Sequence, residues 1–395
     1  MNKICVLLNG PIYNDHRVIK IINTLSQKHS IDLYYLAATP QDKTLFNEKV
    51  ELFSFDYNNS IKTKIIRHSF FWHEFNFFIK SVLDKNIAYH AIWCNDFPTL
   101  HPAYKIAKKL KSNLIYDSHE IYLETLNQFF PTKTSLIKSL IFKTSLGFMR
   151  TFGKMAEKRL INKANQIITV NDSLADYFKT TYGVNNVSVI MNFPPITSLE
   201  ASQFIDFRVL FSFQENDKIL IYQGVLNKGR GLELVINSIK HTPQNIKLII
   251  LGDGPLKSEL TALTSDLNLQ QRIKFINKVP INELLNYTSG ADFGINILED
   301  FNLSKKLASP NKLFEYIHAG IPVVCSQSVE NDKVLAKYSI GIAVKNESKD
   351  IAKKITELVD KEIRGYKLAC KKASKEYNWE AQEEMILNLI RTEIN

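Results

Sequence analysis

The chain has 395 residues, enough for two ordinary domains, and its 45% hydrophobic and 23% charged residues exclude extensive disorder. No run approaches the roughly 18 apolar residues of a membrane span. The formal charge of +10 is spread along the chain without a nucleic-acid motif, which leaves a solubility feature or an anionic lipid surface to account for it, and no nucleic-acid partner is expected.

Met1 to Asp15 (MNKICVLLNGPIYND) reads as a strand and a turn and lacks a small-residue cleavage site. Cys5, Cys94, Cys325 and Cys370 are far apart and show no metal spacing, so they read as reduced, buried thiols of a cytoplasmic protein. Lys3–Asn9 is a buried strand, Gly10-Pro11 turns the chain, and Asp15 and Arg17 open a helix with apolar residues at Val18, Ile21, Ile22 and Leu25. Ile31–Tyr35 is the next strand, and this β-turn-α-β start argues for a parallel sheet covered by helices. With Gly10 alone, the loop does not make a nicotinamide fingerprint.

Residues 61–80 are aromatic and basic, and read either as a helix facing an acceptor or membrane, or as core with a basic edge. Ala91–Cys94 is a strand followed by Asn95-Asp96 and a helix through Leu110. Asn113–Tyr116 then delivers Asp117, Ser118, His119 and Glu120 to a strand end, where parallel sheets place their ligands. Thr132–Lys163 alternates Lys and Arg with Ile, Leu, Phe and Met. It is either an amphipathic helix on an anionic membrane or a solvated helix packed on the sheet. Gln166–Val170 and Val187–Met191 are strands, and the double proline at Pro194-Pro195 marks a linker.

Lys218–Tyr222 opens a second βα series. It ends in Gln223-Gly224 and a loop, VLNKGRG, that carries Lys228, Gly229, Arg230 and Gly231 into a helix from Leu232. A glycine-bracketed cation at a helix start is a phosphate clamp by chemistry. Strands follow at Lys247–Leu251, ending in the turn Gly252-Asp253-Gly254-Pro255, and at Ile273–Ile276.

From Ser304 to Ser326 the sequence describes a complete helix and a buried strand: Ser309 as cap, Pro310 at the first helical position, Leu313, Phe314 and Ile317 as the apolar stripe, and Gly320 as the stop. Ile321–Val324 is the strand, with proline tolerated at its start. Asn311, Lys312 and Glu315 share the other helix surface. Free N–H groups and Lys312 attract an anion, and Glu315 one turn deeper accepts from a sugar diol, which together describe a nucleotide.

PNKLFEYIHAGIPVV resembles the donor-nucleotide signature of retaining glycosyltransferases of family 4 (glycosyl transferases group 1). The resemblance implies an α/β, GT-B fold: two Rossmann-like domains facing each other across a cleft, with a C-terminal helix crossing back to the N-terminal domain. It divides the chain into an acceptor-binding domain over 1–197, with the returning helix 380–395, and a nucleotide-sugar domain over 198–379. It implies catalytic roles for His119, facing the donor sugar, for Arg230 on the diphosphate and for Glu315 on the ribose. Gly10, Gly224, Lys228, Asn311, Lys312 and Leu313 complete the expected donor site, and Asp15, Arg17, Asp117 and Glu120 are expected on the acceptor side. The signature's earlier glutamate is replaced by Leu307, with Glu299 and Asp300 as nearby acidic candidates, and the early loop cation is replaced by Val225, with Lys228 as substitute.

No Asp-x-Asp motif occurs, so no metal or other cofactor is expected beside the nucleotide-sugar co-substrate, UDP- or GDP-linked. The expected reaction is sugar transfer with retention to a glycan or lipid-linked acceptor, in bacterial surface polysaccharide synthesis. The expected location is the cytoplasm or, peripherally, the inner face of the membrane. A 2-epimerase of the same architecture would rearrange the donor without an acceptor, and a non-catalytic partner subunit would bind without turnover.

Overall fold

A computed structural model of the chain describes residues 1–56, 75–126, 136–196, 204–299, 302–309, 311–361 and 363–391. The readings made for residues 61–74, for 132–135 at the start of the basic helix, and for Asp300 and Pro310 lie outside the described residues. The chain divides into a first unit, residues 1–192 with 382–395, and a second unit, residues 193–381.

The first unit holds a parallel sheet of β1 (Lys3–Leu7), β2 (Ser30–Leu36), β3 (Val50–Phe55), β4 (Ala91–Asn95), β5 (Asn113–Ser118), β6 (Gln166–Thr169) and β7 (Val187–Val189). Its order is β3-β2-β1-β4-β5-β6-β7. The β1, β4 and β5 strands are buried along nearly their whole length, as expected of apolar runs covered by helices on both faces. From Gln382 onward the last helix, Glu380–Arg391, belongs to this unit. Its Gln382 amide accepts from Met191 N (2.7 Å) and donates to Met191 O (2.8 Å), and Glu383 accepts from Thr24 Oγ1 at 3.0 Å.

The second unit repeats the plan with β8 (Lys218–Gln223), β9 (Ile246–Leu251), β10 (Ile273–Ile276), β11 (Phe293–Asn296), β12 (Val323–Ser326) and β13 (Gly341–Val344), ordered β10-β9-β8-β11-β12-β13 and parallel throughout. Several strand readings change at their ends, and the first strand stops at Leu7 rather than Asn9. The last strand of the donor signature starts at Val323 rather than Ile321, because Pro322 has no N–H for the ladder; its carbonyl instead accepts from Gly294 N at 2.8 Å. Val187–Val189 is also shorter than Val187–Met191.

Each sheet has one place where chain order reverses: between β1 and β4 in the first unit, and between β8 and β11 in the second. Crevices at the carboxyl ends of such strands are where open α/β sheets take ligands. Both charge clusters described next stand at these two ends.

Candidate active site

In the second unit the loop after β8 is held so closely that only glycines fit. A Cβ on Gly252 would lie 1.9 Å from Gly224 O, and one on Gly254 would lie 2.4 Å from Leu226 O. Gly231 has φ +62°, and a side chain there would meet Ile297 at 2.3 Å. The glycines of the 252–254 turn therefore brace the cation loop from behind. Glu299 adds a clamp, its Oε1 accepting from Gly231 N at 3.2 Å while its own N–H donates to Gly229 O at 3.1 Å.

The helix Asn311–His318 packs on β11 and β12 and reaches β8 through Tyr316. Tyr316 sits over Gly294, where a Cβ would be 2.4 Å from its ring, and its hydroxyl donates to Ile221 O and Ile295 O, both at 3.1 Å. This fixes the helix's rotation about its axis. Glu315 accepts from Gln223 Nε2 at 2.6 Å, and Gln223 Oε1 in turn accepts from Thr288 Oγ1 at 2.6 Å. One carboxylate oxygen is thus oriented by a buried amide, itself oriented by a hydroxyl.

Lys312 runs inward beside Gly224, and a Cβ on Gly224 would lie 2.9 Å from Lys312 Cε. Its ammonium stands 4.9 Å from the centroid of the Tyr222 ring, and the residue is 9% exposed. Burial lowers its pKa most, the Arg230 guanidinium lowers it further, Glu315 opposes, and Lys305 lowers it again, so that it falls to about 7. Arg230 and Lys305 both act on the Lys312 charge, with Glu315 opposing them among the described residues. Cations gathered beside a loop glycine suit a diphosphate.

The first unit builds a different cluster where β4 and β5 end. Asp96 begins the helix Asp96–Leu110 in the left-handed region at φ +58°, which costs a non-glycine residue and is held by the surrounding structure. Its Oδ1 accepts from His119 N at 3.0 Å and its Oδ2 lies 3.5 Å from His119 Nδ1. On the other side of the ring, His119 Nε2 is 3.6 Å from Asp117 Oδ2. Asp117 is fully buried and accepts from Arg17 Nη2 at 2.9 Å, while Arg17 Nη1 donates to Ile190 O at 2.6 Å.

The charges in this cluster compensate one another. Burial alone would lower the His119 pKa, but Asp96 and Asp117, with Asp15 farther off, raise it to about 9. Burial would raise Asp117, but Arg17 and His119 take it down to about 2. Burial leaves Asp96 raised despite the opposing His119 charge. At neutral pH the imidazole is a cation with both ring nitrogens turned to carboxylates, so it is not a free general base.

Glu315, Arg230 and Lys312 come together with Gly224 in the second unit. Asn311 is exposed at the helix start, while Leu313 offers the ligand side only its backbone, since its side chain is fully buried. Lys228 is exposed on the loop surface, and Val225, at the position of the early cation, is exposed and apolar. Glu299 is committed to Gly231, and Leu307 is half-buried after the short helix Leu303–Lys306. Gly10 follows β1 at the first unit's reversal point, with open space where a Cβ would stand.

On the acceptor side, Asp15 caps its own helix, accepting from Val18 N at 3.1 Å, and Arg17 and Asp117 are buried and paired with each other beside His119. Glu120 is half-buried, and its carbonyl accepts from Ser118 Oγ at 3.0 Å. The sequence reading gave no role to Asp96, Gln223 or Lys305. Their signals were a carboxylate at a strand end, an amide before the loop glycine and a lysine pair ahead of the donor helix.

Residues 205–377 match the family model described as glycosyl transferases group 1. An N-acetylgalactosamine-N,N'-diacetylbacillosaminyl-diphospho-undecaprenol 4-alpha-N-acetylgalactosaminyltransferase of Campylobacter jejuni is 24% identical over 290 residues, covering 69% of this chain and 75% of the relative. Among solved structures, Anabaena HepE in complex with UDP and glucose aligns with a TM-score of 0.72 at 16% identity, over 99% of this chain and 100% of that one. Sucrose-phosphate synthase of Thermosynechococcus elongatus aligns with a TM-score of 0.74 at 15% identity, over 99% and 98%. At these identities the structures speak for the fold, GT-B.

Proposed function

We propose that the chain belongs to the glycosyl transferases group 1, whose model residues 205–377 match, and that it moves a sugar from a UDP- or GDP-linked donor to a glycan or lipid-linked acceptor, with retention of configuration and without a metal. The observation that carries the reading is the group of Arg230, Lys305 and Lys312 beside the oriented carboxylate of Glu315. In the reaction the bond from the anomeric carbon to the diphosphate oxygen breaks, and a bond from that carbon to the acceptor oxygen forms. The nucleoside diphosphate departs, and the acceptor's hydroxyl proton passes to the leaving phosphate, as the family resemblance implies.

The cations would stabilise the negative charge that develops on the leaving group, the task a metal performs elsewhere. Glu315 would accept from the ribose hydroxyls with the oxygen that Gln223 leaves available. The family resemblance would give His119, an imidazolium between two carboxylates, a role at the donor sugar. The undecaprenyl-linked substrate in the name of the Campylobacter relative, and the UDP and glucose bound to HepE, support surface polysaccharide synthesis on a lipid carrier. That setting would place the protein at the inner face of the cytoplasmic membrane.

Glu315→Ala and Arg230→Ala should each nearly abolish transfer while leaving the melting transition in place. Near-normal turnover in either variant would sink the assignment. Product analysis with and without acceptor separates transfer from epimerisation of the donor, since an epimerase converts the nucleotide sugar with no acceptor present.

A further inference from the structure

The 26-residue helix Leu136–Ile161 of the first unit carries an apolar surface that the proposed chemistry does not use. Phe148, Phe152 and Met155 are 62%, 51% and 64% exposed. They recur at i, i+4 and i+7 and so share one face, with Arg159 one turn further along. The two rings rest on each other with centroids 4.0 Å apart. The opposite face is core: Met149, Glu157, Leu160 and Ile161 are buried. Three large apolar side chains kept in water together on one helix face call for a partner.

The charge around them says which partner. Between Leu136 and Lys163 the sequence has seven cations and one acid. That acid, Glu157, is buried and occupied by the hydroxyls of Tyr116 (2.9 Å) and Tyr182 (2.6 Å), so it offers nothing to the surface. Lys158, Arg159 and Lys163 are exposed around and beyond the apolar stripe, and Arg150 and Lys154 are paired with Glu124 at 3.3 and 3.7 Å. A second copy of this face would bring like charges together. A surface with apolar depth and anionic headgroups satisfies both features. Among the described residues no helix is long and apolar enough to cross a membrane, so such contact would be peripheral.

We propose that the Phe148–Phe152–Met155 stripe of this helix docks on an anionic lipid surface, with the rings and Met155 entering the acyl boundary and Lys158, Arg159 and Lys163 meeting headgroup phosphates. The proposal extends the reading of a lipid-linked acceptor but rests on it only for what the lipid would carry. Its test is made without donor or acceptor, so the two can fail separately.

The full-length protein is sedimented with phosphatidylglycerol-containing vesicles and with purely phosphatidylcholine vesicles. The wild type should pellet with the anionic vesicles only, and less as salt rises. Phe148→Ser/Phe152→Ser/Met155→Ser and, separately, Lys158→Glu/Arg159→Glu should each lower the partition by about tenfold or more at an unchanged melting temperature. Failure of the wild type to bind anionic vesicles would overturn the proposal, as would a triple variant that binds like the wild type. A wild-type dimer that the triple variant dissolves, with no vesicle binding, would assign the face to a second copy instead.

Discussion

The two charge clusters are opposites. In the first unit His119 is half-buried between Asp96 and Asp117, with Arg17 paired to Asp117, and its pKa rises to about 9. In the second unit Lys312 is buried, Arg230 and Lys305 repel its charge, Glu315 opposes them among the described residues, and its pKa falls to about 7. Burial disfavours both cations; the neighbours decide the sign. The first cluster pairs its charges within itself, while Asp117 Oδ2 and His119 Nε2, 3.6 Å apart, are buried without a hydrogen-bond partner. The second sets Lys312 among other cations, the arrangement that the proposed diphosphate would answer.

The comparison breaks most easily at Lys312. Lys312→Met keeps the stem and removes the charge, and should cost roughly ten- to hundredfold in nucleotide affinity, the range for a lost hydrogen bond to a charged group. Because the lysine is held among cations, the empty variant should melt no lower than the wild type, the trade expected of a binding residue. A matching loss of stability would mean that Lys312 serves the fold instead.

The pH dependence of binding follows from the same residue. Its lowered value leaves much of Lys312 neutral above pH 7, and a bound diphosphate restores the proton. Affinity for UDP should therefore fall as pH rises from 7 to 9, and a flat profile would contradict the cluster's role.

Asp96→Asn sharpens the other half. Removing that carboxylate should bring the His119 pKa down from about 9 toward the ordinary imidazole range, readable from its ring proton shifts in an NMR titration. The sign on stability also follows. A histidine raised in the fold contributes fully below its unfolded value near 6.5 and loses that contribution as pH climbs through about 9. The wild type should lose this share of stability across that window, and Asp96→Asn should narrow it. An unchanged titration would show that Asp117 alone holds the proton.

The smallest effect is expected at Glu157. Burial, the largest cause, raises its carboxyl to about 7, while the Tyr182 and Tyr116 hydroxyls oppose. A carboxyl raised in the fold favours folding when neutral, so stability from this group falls as pH rises from about 4.5 through 7. Glu157→Gln should flatten that part of the melting-temperature profile, and a profile parallel to the wild type would place the titration elsewhere.

The parallel sheets were legible because fully buried strands read as continuous apolar runs, as at Ile4–Leu7 and Ile219–Tyr222. The donor helix was legible because its surface residues are neighbours in sequence as well as in space: Asn311, Lys312 and Glu315 fall within five positions. β3 went unread, its Val50–Phe55 run mixing apolar and polar residues. The first unit's site was legible only as a cluster at a strand end. That Asp96 would clasp His119 follows from β4 lying beside β5, a pairing 23 residues apart in sequence. That Arg17 would reach Asp117, 100 residues away, is likewise a property of the folded sheet. Glu299 looked like a free acid because its partner is a backbone N–H, which no side-chain pattern records.

The central claim is that the second unit's cations await a nucleoside diphosphate. Calorimetric titration of the full-length protein with UDP and GDP at pH 8, in two buffers of different ionisation enthalpy, tests it most directly. The account predicts binding of one of them with uptake of a proton, with Arg230→Ala abolishing the binding and Lys312→Met abolishing the uptake. Absence of binding by either nucleotide or its sugar conjugates, or binding indifferent to both substitutions, would contradict it.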